Sequence, residues 1–201
     1  MTQRLLTSLL PALLLALGLS ACGPNPSGWH SENITGTLPA LKFSMLRVND
    51  NREVTAADYR GDVVLLYFGY TNCPDICPTT LANLSAMLRK LGPSAAHVRV
   101  LFVSVDPNRD RPEILKAYVN AFSPYMDGLL GTPNAIAILA RRYRVAYSVR
   151  KATAHHPYEV NHSAAVFIFD RFGRARLVTL STSHVNGLAS DVLRLLHEQR
   201  D

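Results

Sequence analysis

Two cysteines four residues apart, Cys73 and Cys77, are the residues whose type and spacing point most directly to chemistry. On one helical turn their side chains would share a face, with Cα atoms about 6 Å apart. Such a pair can bind one soft metal ion, Cu(I) in the first instance. It can also act as a redox centre, in which a helix N-terminus lowers the pKa of the nearer thiol. A purely structural disulfide is disfavoured, because closing so short a loop stabilises little. The spacing alone leaves the metal site and the redox centre both open.

The cysteines lie between a predicted buried strand and a predicted helix. Residues 63–68 form an apolar, β-branched and aromatic run that is typical of a buried strand. Pro78 suits the start of a helix, and apolar residues then recur at helical spacing, at Leu81, Leu84, Met87, Leu88 and Leu91. A cysteine pair on a strand-to-helix turn is the arrangement of a thioredoxin-like active site, here with three intervening residues instead of two.

The remaining patterning predicts further strands and helices around this unit. Predicted strands cover residues 43–48, 53–55, 98–105, 146–150, 164–169 and 174–180, and predicted helices cover residues 111–122, 135–144 and 185–197. Early βαβ units followed by an antiparallel hairpin and a last helix predict an α/β fold. We expect a thioredoxin-like sandwich with a central mixed sheet and an N-terminal β-hairpin.

A third metal ligand would have to come from elsewhere, and the chain has seven histidines. His162 directly precedes the predicted strand 164–169, and a strand end is a rigid place from which to project a ligand. His155 and His156 lie in a polar loop, residues 151–161, that we expect to move; they could assist copper capture or be ordinary exposed residues. His184 is expected to cap the last helix.

The N-terminus has the features of a bacterial lipoprotein signal peptide, residues 1–21. Arg4 precedes an apolar stretch, residues 5–18, that is too short for a confident membrane span. Leu19-Ser20-Ala21-Cys22 matches a lipobox, so we expect Cys22 to be acylated and to anchor the protein. A cleaved signal with an incidental cysteine is the alternative. With Cys22 lipidated, Cys73 and Cys77 form the one remaining pair.

Composition divides the rest of the chain into a tether and one domain. Residues 22–40 are rich in Gly, Pro, Ser and Asn and predict a flexible tether, in which Trp29 packs locally. Residues 41–201 are the size of one ordinary domain. The net charge of +6 comes from scattered Lys and Arg residues, so nothing indicates nucleic-acid binding. A mildly basic surface could dock an acidic partner or anionic lipid.

Three segments, taken together and in this order, resemble one family. They are residues 69–78 (GYTNCPDICP), 103–110 (VSVDPNRD) and 158–163 (YEVNHS). This combination resembles the Sco/SenC (PrrC-like) family of copper-binding cytochrome oxidase assembly proteins. The resemblance implies a thioredoxin fold and a copper site, for Cu(I) or Cu(II), made by Cys73, Cys77 and His162.

The resemblance also implies a function and partners. The expected function is a membrane-tethered copper chaperone, not an enzyme in the strict sense, that loads the binuclear copper A site of cytochrome c oxidase subunit II. The alternative is a thiol-disulfide oxidoreductase, with Cys73 and Cys77 as its redox pair, that reduces cysteines of the oxidase subunit or another exported target. A copper-responsive or redox-sensing element is a third hypothesis. Other periplasmic copper chaperones or thiol reductants are further expected partners, and we expect a monomer on the extracytoplasmic side of the inner membrane.

Several charged and polar residues in and near these segments are candidates for supporting roles. Asp75, between the cysteines, matches the family's acidic position; it could tune a thiolate pKa, contribute to docking, or favour the helix dipole. Asp106 and Arg109 follow the predicted strand 98–105, at the sheet edge where ligands gather in open α/β folds. We expect them to form an ion pair that fixes the loop. The His155-His156 pair is not part of the family pattern.

Overall fold

The computed structural model describes residues 28–156 and 158–198. The strands of this part of the chain are β1 (Glu32–Asn33), β2 (Ser44–Arg47), β3 (Arg52–Thr55), β4 (Val63–Gly69), β5 (Val98–Ser104), β6 (Met126–Leu130), β7 (Tyr147–Arg150), β8 (Glu159–His162), β9 (Val166–Phe169) and β10 (Ala175–Thr179). The α-helices are α1 (Ile76–Leu91), α2 (Pro112–Asn120), α3 (Pro133–Arg142) and α4 (Val185–His197). Short 3-10 segments cover Ala56–Tyr59 and Gly92–His97.

An eight-stranded mixed sheet forms the centre of the fold, in the order β1-β10-β9-β4-β5-β6-β2-β3. Strands β4, β5 and β6 are parallel, and β9 pairs antiparallel with β4. Helices α1 and α2 connect the parallel strands, while β2 and β3 form the predicted N-terminal hairpin. The predicted thioredoxin-like α/β sandwich with a mixed central sheet is confirmed.

The central strands are buried along their whole length. Every residue of β4 is buried, and nearly every residue of β5. Parallel strands covered on both faces read as continuous apolar runs, which is why the sequence shows them clearly. Helix α1 packs against α4, and α2 packs against β6. The core therefore holds β4 and the start of α1, the two elements on either side of the cysteine loop, in a fixed relation.

Strand β6 has no counterpart among the predicted strands. Its sequence, MDGLL, places an acidic residue and a glycine in a buried strand, which hides the hydrophobic pattern. Asp127 is tolerated there because the Tyr59 hydroxyl donates to it at 2.9 Å and Arg47 lies 3.7 Å away. Buried polar groups need such partners.

The segment from Gly28 to residue 40 packs on the domain, although it was expected to belong to a flexible tether. Trp29 is 7% exposed, and the Arg194 guanidinium lies 3.9 Å from its ring centroid. The carboxylate of Asp191, in α4, accepts hydrogen bonds from the backbone N–H groups of His30 (3.0 Å) and Ser31 (2.8 Å). Strand β1 then pairs with β10. The Gly-, Pro-, Ser- and Asn-rich composition of this segment gave no sign of these specific contacts.

His184 occupies the position before α4, but its side chain makes no capping hydrogen bond; its ring instead meets that of His30 at 5.4 Å. The signal peptide of residues 1–21 and the lipidation site Cys22 lie outside the described residues. Within residues 28–156 and 158–198, no helix has the length and apolar character needed to span a bilayer.

Candidate metal centre

The two cysteines lie where β4 passes into α1. Cys73 is in the loop and is 9% exposed, whereas Cys77, in the first turn of the helix, is fully buried. The backbone N–H of Cys77 points at the Cys73 sulfur, with N and Sγ 3.5 Å apart. Both are free thiols. The first turn of α1 thus directs a backbone N–H at Cys73, which precedes the helix instead of sharing a helical turn with Cys77.

His162 is the last residue of β8, so residues 159–161, which were expected to belong to the polar loop 151–161, form a strand that ends at His162. Its Nε2 atom lies 3.3 Å from the Cys77 Sγ, and its Nδ1 lies 3.0 Å from the Ser163 carbonyl oxygen. A carbonyl can only accept, so Nδ1 carries the hydrogen and the lone pair of Nε2 faces the sulfur. Burial lowers the pKa of His162 and favours the neutral imidazole. This is the tautomer and charge state that a metal-ligating histidine needs.

The structure brings the three residues together from distant parts of the sequence. One ligand atom each from Cys73, Cys77 and His162 lie within 4.8 Å of one another, which is close enough to hold one metal ion. Two thiolates and an imidazole form a soft donor set that favours Cu(I) over hard cations such as Mg²⁺ or Ca²⁺.

Aromatic side chains and a glycine enclose this cluster. The Tyr67 hydroxyl lies 3.6 Å from the Cys77 sulfur, and the rings of Tyr67 and Tyr70 approach the His162 ring edge-on at 6.0 and 5.7 Å. A Cβ on Gly69 would lie 2.8 Å from the Cys77 sulfur. Burial raises the pKa of the Cys77 thiol to about 12, so a metal ion would have to displace its proton.

A cavity of about 270 Å³ gives access to the cluster from one side. Its lining residues are Tyr70, Cys73, Pro74, Asp75, Ile76, Val160, Asn161 and His162. Cys77 does not line it. Ile76, one of these lining residues, is 43% exposed. A reagent or partner entering from this side would reach Cys73 and His162 before Cys77.

Comparison with known proteins identifies the family. The SCO1/SenC family model matches residues 38–197. This chain belongs to the SCO1/SenC family. A mitochondrial SCO2 homologue from Bos taurus is 41% identical over 138 residues, which is 64% of this chain and 52% of that protein. The chain spans about half the length of the first curated relatives it matches.

Solved SCO1/SenC structures resemble the fold described above. ScoI of Bradyrhizobium japonicum with copper bound is 34% identical, with a TM-score of 0.70 over 78% of this chain and 99% of that one. Arabidopsis thaliana ScoI with copper bound is 33% identical, with a TM-score of 0.70 over 78% of this chain and 97% of that one.

Other predicted site residues lie around the SCO1/SenC cluster without joining it. Asp75 is exposed just before α1 and makes no side-chain capping hydrogen bond. Asp106 and Arg109 form the expected ion pair, with Nε and Oδ2 2.5 Å apart. His155 and His156 are exposed, and the group of potential metal ligands found among the described residues includes neither.

The sequence alone assigned no role to the tyrosines around the SCO1/SenC cluster. Tyr67 lies inside the apolar run, and alternation places it on the same strand face as Gly69, but the sequence does not say that this face meets the cysteine helix. Tyr70 and Tyr158 lie within residues 69–78 and 158–163, two of the segments that indicated the family. Their place in these segments was the sequence feature that could have pointed to a role at the site. The hydroxyl of Tyr158 donates to Asp106 at 2.5 Å.

Proposed function

We propose that this protein is a membrane-tethered copper chaperone that delivers copper to the binuclear copper A site of cytochrome c oxidase subunit II. The observation that carries the proposal is the approach of Cys73, Cys77 and His162 to within 4.8 Å, ligand atom to ligand atom. The copper-bound ScoI relatives support copper as the ion.

The three proposed ligands have different roles in holding and exchanging the ion. In the proposed site Cys77 is the buried ligand, held between Tyr67 and His162. Cys73 and His162 face the cavity, so an incoming ligand from an acceptor would compete with them first. Release by stepwise ligand exchange would then leave Cys77 as the last contact, which avoids setting a Cu(I) ion free in solution.

The proposed location follows from residues outside the described part of the chain. Cleavage after Ala21 and acylation of Cys22 would anchor the domain at the outer face of the inner membrane, through the chain up to Gly28. A monomer in this position could meet subunit II and, in turn, other periplasmic copper chaperones or thiol reductants.

A thiol-disulfide oxidoreductase is the second candidate, and one contact favours it. The Cys77 backbone N–H lies 3.5 Å from the Cys73 sulfur and directs a hydrogen-bond donor of the helix N-terminus at it. Cys73 is also the cysteine that lines the cavity. It would be the attacking thiol and Cys77 the resolving one. His162 separates the two candidates, because disulfide exchange does not require an imidazole facing the buried sulfur.

The test is a copper titration of the full-length reduced protein in detergent, with metal analysis and absorption spectra. We expect one copper per chain and, for Cu(II), a thiolate charge-transfer band. His162→Ala should shift or abolish that band and weaken binding, Cys77→Ser should abolish tight binding, and His155→Ala, an exposed histidine, should change neither. Unchanged affinity in Cys77→Ser would refute the metal site. No retained copper together with a readily cycled Cys73–Cys77 disulfide would instead support the oxidoreductase.

A further inference from the structure

His162 is carried by a strand that does not belong to the central sheet. Strand β8 pairs with β7 in a two-stranded sheet that is separate from the eight-stranded one. A two-stranded hairpin is marginally stable in water by itself. The β7–β8 hairpin therefore needs other contacts to keep the His162 imidazole 3.3 Å from the Cys77 sulfur.

A buried carboxylate at the end of β5 provides such a contact. Asp106 is fully buried, and each of its oxygens has a partner. Oδ1 accepts from the hydroxyl of Tyr158, the residue just before β8, and Oδ2 accepts from the Nε of Arg109, both at 2.5 Å. The bond to Tyr158 joins the central sheet to the hairpin, across 52 positions of sequence. Charge-assisted hydrogen bonds of this kind are stronger than neutral ones.

Arg109 links the same carboxylate to the histidine by a second route. Its guanidinium lies 4.0 Å from the centroid of the Tyr158 ring and 5.7 Å from that of Tyr70. The Tyr70 ring in turn meets the His162 ring edge-on, at 5.7 Å and 90°. The group is thus connected to His162 along the backbone of β8 and also through the Arg109–Tyr70–His162 side-chain contacts.

We propose that Asp106, Arg109 and Tyr158, here called the clamp, are positioning residues that hold the β7–β8 hairpin and His162 closed over Cys77. None of the three is within the candidate ligand set, so they act through His162. Loosening the clamp exposes Cys77 to solvent and lets the His162 imidazole move away from its position beside the Cys77 sulfur. The consequence for copper rests on the function proposed above, whereas the exposure of Cys77 does not.

Tyr158→Phe is the sharpest perturbation of the clamp. It removes one hydroxyl and no charge, and it leaves the ring beneath Arg109. The Oδ1 atom of Asp106 then becomes a buried acceptor without its partner, a state that favours opening of the hairpin to water. Tyr59→Phe is the matched control, because it also removes a tyrosine-to-aspartate hydrogen bond, to Asp127 in β6.

The first measurement uses metal-free, reduced, full-length protein. Each variant is treated with an alkylating reagent, and modification of Cys73 and Cys77 is followed separately by peptide mass spectrometry. In Tyr158→Phe we expect Cys77 to react about tenfold faster or more, the factor that corresponds to loss of one hydrogen bond to a charged group. Tyr59→Phe should react at the wild-type rate, even though its global stability falls.

The second measurement uses copper and a second pair of variants, which keeps the test decisive if Tyr158→Phe does not fold. Arg109→Gln removes the clamp cation, and Arg174→Gln removes the comparable partner of the buried Asp170, 2.7 Å away. We expect Arg109→Gln to retain one copper per chain, to shift the Cu(II) charge-transfer band towards that of His162→Ala, and to expose Cys77 to alkylation. Arg174→Gln should do none of these.

The outcomes separate the clamp from the function it serves. Wild-type alkylation of Cys77 in both clamp variants, with an unshifted copper band, would overturn the clamp while the copper site stands. Equal acceleration in a clamp variant and its control would also overturn it, because the effect would then be general destabilisation. Faster Cys77 alkylation confined to the clamp variants, in a protein that binds no copper, would support the clamp and reject the proposed function.

Discussion

Gly69→Ala is the substitution whose effect on the site can be worked out most directly from the structure. A Cβ at this position would lie 2.7 Å from the Phe102 ring and 2.8 Å from the Cys77 sulfur. Carbon atoms normally pack about 3.5–4.0 Å apart, so the contact to Phe102 is roughly 0.8 Å too short. Position 69 is at the end of a fully buried strand, and Phe102 is fully buried in the neighbouring one. Neither strand can move far, so we expect the cysteine or the ring to be displaced.

The expected magnitude is that of overpacking a close-packed core, about 1–3 kcal/mol of unfolding free energy. A domain of this size loses about 2–4 °C in Tm for each kcal/mol. Urea unfolding and thermal melting measure this part of the prediction. Because the added methyl group presses on the sulfur itself, the variant should also bind copper more weakly, with an altered Cu(II) charge-transfer band.

Gly128→Ala is the matched control. Its Cβ would lie 2.8 Å from both Leu115 and Val48, an overlap of the same size in a part of the core that contains no cysteine. We expect a similar loss of stability with an unchanged copper spectrum. If Gly69→Ala had wild-type stability and copper binding, the packing argument would be refuted. If both variants altered the copper spectrum equally, the link between Gly69 and the cysteine would be refuted.

Two further predictions concern the domain boundary and pH. Trp29→Ala should lower the unfolding free energy by about 3 kcal/mol, as for other buried aromatic residues, without changing copper binding; an unstructured tether predicts no loss in urea unfolding. For Asp127, burial holds the pKa of the carboxyl above its ordinary value, despite the Tyr59 hydroxyl and Arg47. The folded state therefore binds the proton more tightly than the unfolded chain, and the group's contribution to stability is lost as pH rises from about 3.9 through the folded-state pKa. As the pH is raised from 4 to 7, the unfolding free energy of Asp127→Asn should therefore increase relative to that of the wild type. A difference in unfolding free energy between the two proteins that does not vary with pH would contradict this.

The sequence predicted most of the central sheet because local pattern and tertiary burial agree there. Residues 63–68 and 98–105 are continuous apolar runs, and the observed strands Val63–Gly69 and Val98–Ser104 differ from them by one residue at one end. Strand β6 escaped prediction because Asp127 and Gly128 interrupt its apolar pattern. Asp127 is stabilised there by Tyr59 and by Arg47 of β2, and the Gly128 N–H donates to Asn49; all three partners are far away in sequence.

The residues of the candidate site were likewise predicted only in part from local sequence. Residue type and spacing singled out Cys73 and Cys77, because two thiols so close in sequence can meet at one site wherever the local chain turns, even though Cys73 lies before α1 and not on it. His162 was one of seven histidines by that reasoning, and only resemblance to a family selected it. The contact between Nε2 of His162 and Sγ of Cys77 depends on how β8 is placed over α1, across 85 positions of sequence.

By itself, then, the sequence determined the fold class, the cysteine pair and the three segments that indicated the family. Each of these can be recognised from local patterns, namely hydrophobic periodicity, residue spacing and short motifs. Only the tertiary structure decided that Cys77 is buried behind Cys73 and His162, that the chain from Gly28 packs on the domain, and that Asp106 connects the central sheet to Tyr158. These features arise from contacts between residues far apart in the chain. Such contacts depend on the packing of whole elements, which local spacing does not encode.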